Sequence, residues 1–94
     1  MKIKNEFILK TIGENTPNEI NVVIAVGKCA KNISGYAKIS DSGVLLWNKL
    51  KNGADKEALI NLLLSEYDVM REIAEKDVDA FIQKLNNIGA LIDD

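Results

Sequence analysis

The chain has 94 residues, 47% hydrophobic and 28% charged, with a formal net charge of −2 at neutral pH. That is the composition of one small folded domain over 1–94 rather than a disordered chain, and it lacks the basic excess of a nucleic-acid binder. With no His and a single cysteine, Cys29, it excludes the commonest metal ligand, the commonest general base near neutral pH, an internal disulfide and a cysteine-built zinc site.

The N-terminal stretch has no apolar run long enough for a signal peptide, and no segment reaches transmembrane length, so the expected compartment is the cytoplasm. Residues 6–13, "EFILKTIG", alternate as a strand, with Phe7, Leu9 and Thr11 on one side and Ile8, Lys10 and Ile12 on the other. "ENTPN" (14–18) gathers turn formers around Pro17. In "EINVVIAVG" (19–27), Ile20, Val22, Ile24 and Val26 recur at period two. They predict the buried face of a second strand, with Asn21, Val23 and Ala25 opposite. "GKCAKNISG" (27–35) is bracketed by glycines and reads as a loop, and "YAKI" (36–39) as a short third strand.

At Ser40 the period changes. Ser40 suits an N-cap, and Asp41 places negative charge at the positive end of a helix dipole. Val44, Leu45, Leu46, Trp47 and Leu50 form an apolar face, and Gly53 suits a left-handed cap. Trp47 falls in step with Val44 and Leu50, so it reads as core rather than as a stacking platform. Asp55 caps a second helix over 55–68, with Leu59, Leu62, Leu63 and Tyr67 at helical spacing and Ile60 and Leu64 widening the stripe. A third helix spans roughly 70–88, with Ile73, Ala74, Val78, Phe81, Ile82, Leu85 and Ile88 on one side. Gly89 stops it, and "ALIDD" trails off acidic. Three strands followed by three helices predict an α+β fold.

No motif carries catalytic chemistry. Lys28 and Lys31 favour a thiolate at Cys29, but with no His to serve as base it reads as a small, dispensable loop residue. Glu75 and Asp79 share an exposed helix face, the usual solvated surface, and "GKCAKNISG" has no phosphate-binding spacing. A three-helix, small-sheet chain also suits a winged-helix DNA reader. Its last helix, however, sets Arg71, Lys76 and Lys84 against Glu72, Glu75, Asp77 and Asp79, which disfavours phosphate.

The stretch "GYAKISDSGVLLW" resembles the PqqD-like family, in which a Gly precedes a Leu-Asn-Glu-Thr-Gly-like turn and an apolar pair ending in Leu-Trp. Ile39, Ser40, Asp41, Ser42, Gly43, Leu46 and Trp47 occupy those places here. "EYDV" (66–69) and "EKDVDAFIQKLNNIGAL" (75–91) resemble the family's closing segment, and "FILKTIGE…INVVIAVG" its opening strand pair.

The resemblance implies a winged-helix-like fold with a three-stranded antiparallel sheet and three helices. It implies a non-catalytic element, without cofactor or metal, in a pathway that modifies ribosomally made peptides. Such an element binds the leader of a precursor peptide as an added strand between its third strand and third helix. It then presents the peptide to a modifying enzyme, often a radical S-adenosylmethionine protein.

The residues agree with this. A short strand that bends at once into a helix leaves a free edge, and an edge left open beside an apolar helix suits strand addition. The expected peptide-binding residues are Gly35, Tyr36, Ala37, Lys38 and Ile39 on the strand, with the Ala37 amide a possible edge donor. On the third helix they are Asp77, Ala80, Phe81 and Lys84, at spacings of three and four. Asp77 and Lys84 suit charges on a peptide. The expected partners are a precursor peptide and a modifying enzyme, with no nucleic acid and no membrane, in a monomer or weak dimer; the alternative is a winged-helix transcriptional regulator.

Overall fold

In the computed structural model, which describes residues 1–26 and 36–92, helix and strand meet at Ser40 without a linker. The loop read over 27–35, including Cys29 and Gly35, and the acidic end at Asp93 and Asp94 lie outside the described residues. In chain order the elements are β1 (Lys2–Ile3), β2 (Phe7–Ile12), β3 (Ile20–Ala25), β4 (Ala37–Ile39), α1 (Asp41–Lys51), α2 (Lys56–Glu66), α3 (Arg71–Asn87) and β5 (Leu91–Ile92). β2, β3 and β4 form an antiparallel sheet in that order, so β4 is an edge among the described residues. The α+β class, the three-stranded sheet and the three helices are as expected.

The helix starts follow their caps. The Gly43 amide donates to Ser40 Oγ at 3.3 Å, and the Ala58 amide to Asp55 Oδ1 at 2.8 Å. Both satisfy amides that have no partner within the helix. Just past the α3 C-cap at Ile88, Gly89 has a φ of +72° that suits a residue without Cβ, and the Ala90 amide returns to the Leu85 carbonyl at 3.0 Å.

The core lies between one face of the sheet and the helices. Phe7, Val23, Ala37 and Ile39 meet Leu46, Trp47 and Leu50 of α1, Leu59, Ile60 and Leu63 of α2, and Ala74, Val78, Phe81 and Leu85 of α3. This overturns the expected face of β3. The register pairs Leu9 with Val23 and Val23 with Ala37, so Val23 faces the helices. The β-branched series Ile20, Val22 and Ile24 lies on the outer face. Val22 is still only 1% exposed, set directly between Lys10 and Lys38 of the neighbouring strands, whose aliphatic stems are long enough to cover it. Both faces of β3 are apolar, so period alone did not decide which one turns inward.

Two helical assignments also change. Tyr67 ends α2 and is 39% exposed, and Ile73 is 45% exposed; each falls at the rim of its stripe. The closing segment does not simply trail off. β5 pairs with β1, Leu91 opposite Ile3 and Ile92 opposite Lys2. The Met1 and Ala54 backbones exchange two 2.9 Å hydrogen bonds that hold the N-terminal residue against the turn between α1 and α2.

Candidate functional site

The alternation of hydrogen bonds decides what the β4 edge offers. The Val26 amide donates to the Glu6 carbonyl at 2.7 Å. In an antiparallel ladder both backbone groups of a residue point the same way, and the direction alternates along the strand. With the observed register, Val22 and Ile24 therefore spend their backbone groups on β2, and Asn21 and Val23 spend theirs on Ile39 and Ala37. The Ala37 amide thus points inward, not outward. Lys38 is the residue of β4 whose N–H and C=O face the open edge.

α3 stands alongside this edge. Lys84 Nζ donates to the Lys38 carbonyl at 2.8 Å. Two cavities flank that contact. One, of about 340 Å³, lies between the start of α1 and α3 and is lined by Ile39, Ser40, Ser42, Gly43, Leu46, Asp77, Ala80, Phe81 and Lys84. The other, of about 440 Å³, is lined by Tyr36, Ala37, Lys38, Lys84, Asn87 and Ile88. Together they trace a groove along β4.

The structure brings together eight of the nine expected residues: Tyr36, Ala37, Lys38, Ile39, Asp77, Ala80, Phe81 and Lys84. Gly35 lies outside the described residues. They differ in what they present. Ala37, Ile39 and Phe81 are buried and shape the floor, whereas Lys38, Asp77, Ala80, Lys84 and Tyr36, the last 60% exposed, are open to solvent.

Sequence reasoning missed Ser40, Ser42, Gly43 and Leu46 at one end and Asn87 and Ile88 at the other. The second pair was within reach, since 80, 84, 87 and 88 continue the spacing of three and four. Gly43 carried its own signal, a glycine in the first turn of a helix. A Cβ there would lie 2.9 Å from Ile39 Cβ and 3.5 Å from Phe81 Cε1. Only hydrogen lets α1 sit this close to β4. Gly43→Ala gains about 0.5–1 kcal/mol of helix preference but meets overpacking of about 1–3 kcal/mol. The expected result is a lower thermal midpoint, by about 4–8 °C per kcal/mol lost; an unchanged or raised midpoint contradicts this close packing.

Outside the groove lining, charges are paired between α2 and the first half of α3. Arg71 donates to Glu57 at 2.6 and 2.7 Å and to Glu75 at 3.0 Å. These bonds, Glu57's first, raise its pKa above the ordinary value. Lys56 pairs with Asp79 at 2.7 Å, and that hydrogen bond raises the Lys56 pKa. Among the described residues no group of three or more His, Cys, Asp or Glu side chains is placed to hold a metal ion.

The chain is similar over nearly all of its length to two solved structures. TbiB1 in complex with the TbiA(beta) leader peptide shares 22% identity at a TM-score of 0.68, covering 99% of this chain and 100% of that one. Lasso peptide synthetase B1 complexed with the leader peptide shares 24% at 0.62, covering 94% and 99%. At these identities the likeness establishes the fold. No curated protein matches the chain significantly. The family model for coenzyme PQQ synthesis protein D (PqqD) matches residues 21–91, from β3 to β5 and so across the whole groove. On that match, the chain belongs to the PqqD family.

Proposed function

We propose that this protein is a non-catalytic binding element for the leader segment of a precursor peptide. It takes the leader as an added strand on β4 and delivers it to an enzyme that modifies the peptide. The observation that carries this reading is the outward Lys38 backbone at the open edge of β4, with a groove on either side of it. A sheet edge beside a lined groove supplies what peptide strand addition needs: backbone partners for affinity and side-chain pockets for register. Both structural neighbours are leader-peptide complexes, which supports the same use here. A radical S-adenosylmethionine enzyme as the partner rests on the family resemblance; lasso peptide synthetase B1 points to a second class of pathway.

The charge pattern supports peptide over DNA. Arg71 is paired with Glu57 and Glu75, and the other cations of α3, Lys76 and Lys84, stand among Glu72, Asp77 and Asp79, so the helix offers phosphates no net positive charge. The protein acts in the cytoplasm as a monomer or weak dimer, and a second copy pairing at β4 would compete with the peptide. No helix among the described residues is long and apolar enough to cross a membrane.

Titration with the leader of a co-encoded precursor peptide and with duplex DNA at low salt tests the reading. Saturable peptide binding is expected, with DNA binding weak or absent. DNA binding that falls steeply as salt rises, with no response to the leader, overturns it.

A further inference from the structure

Lys84 lines both cavities of the groove and spans it between them. Its ammonium sits on the one β4 carbonyl that faces the open edge, and it makes no ion pair among the described residues. An incoming strand needs the same carbonyl for one of its own amides. The strand amide competes with the ammonium for that oxygen, and an ammonium displaced from it is left to water unless the peptide supplies an acceptor.

On this basis, and resting on the strand-addition reading above, we infer that Lys84 is a displaceable latch on the β4 edge that selects peptides carrying a carboxylate toward α3. The pleat specifies where. Val22 and Lys38 are directly opposed, and Lys38 shares the outer face with Val22, whereas α3 packs on the inner face. Side chains of an added strand alternate between these faces. The peptide residue opposite Lys38 therefore points away from α3, and the residues beside it point toward Lys84. An acidic side chain at one of those neighbouring positions takes up the freed ammonium. A neutral peptide must displace the latch without that compensation.

The experiment selects random 12-residue displayed peptides against the wild-type chain and against Lys84→Met and Lys84→Glu. Lys84 is exposed, so neither change disturbs the core, and Met keeps the unbranched stem. Backbone shift mapping assigns each recovered peptide to the groove or elsewhere. Groove binders of the wild type should share an Asp or Glu at one α3-facing position. Those of Lys84→Glu should carry Lys or Arg there. Replacing the peptide carboxylate by its amide should weaken wild-type binding roughly two- to fivefold and leave Lys84→Met unaffected. The amide peptide should bind Lys84→Met about two- to tenfold more tightly than wild type, because no latch is displaced.

Groove binders whose acidic preference is absent, or does not follow the charge at residue 84, overturn the latch and leave the strand-addition reading standing. Recovery only of peptides that map away from the groove, or of none, overturns both.

Discussion

Trp47→Ala is expected to cost about 3–5 kcal/mol of stability. Trp47 is 2% exposed and belongs to the core on the inner side of α1, between Leu46 and Leu50 in sequence. Against a total stability of about 5–15 kcal/mol for a domain of ordinary stability, this is the largest single loss expected in the chain. It also separates structure from recognition. Trp47 lines neither cavity of the groove; it borders a different one, of about 530 Å³, with Ile3, Phe7 and Leu9. Denaturation of the variant checks this. A loss below about 1 kcal/mol, with peptide binding abolished, would make Trp47 a ligand contact.

The second large effect is on binding. Ala80 is exposed and lines the groove, so Ala80→Arg fills the space a peptide side chain would use. An apolar anchor is worth about 1.5–3 kcal/mol, so losing one weakens binding about ten- to a hundredfold. Stability should change by less than about 0.5 kcal/mol, because Arg is a good helix former at an exposed site. Lys38→Pro is the matched edge test. It removes the outward amide, worth about 1 kcal/mol net, at an edge position where proline is tolerated. Ala37→Pro is not equivalent, since the Ala37 amide is used by the ladder with Val23. Calorimetric titration of both variants with the leader peptide should show weaker binding with the fold retained. Full affinity in both removes the groove from the account.

Much of this architecture was readable because it has local causes. Ser40 and Asp55 announced their helices through short polar side chains placed to accept amides, and both do so. The α3 stripe through Ala74, Val78, Phe81 and Leu85 followed from spacing. The groove wall of Asp77, Ala80 and Lys84 followed from the same spacing shifted round the helix.

What was not legible depended on partners distant in sequence. The inner face of β3 is decided by Leu9 and Ala37 across the ladder, not by the richer β-branched series on the other face. The β1–β5 pair is two residues long on each side, too short to show a period. The outward turn of Lys38 depends on the hydrogen-bond phase set between β2 and β3, which no run of residues within β4 encodes. Lys84 could be placed on the right helix face from sequence, but its bond to the Lys38 carbonyl appears only once β4 and α3 are side by side.

Strand addition at β4 is tested most directly by a backbone chemical-shift map of the protein titrated with the leader segment of a co-encoded precursor peptide. Strand addition at the β4 edge predicts the largest shifts at 36–39 and along 77–88, with the Lys38 amide protected from exchange in the complex. Shifts confined to the 14–18 loop or to α2, with the Lys38 amide unchanged, would contradict it.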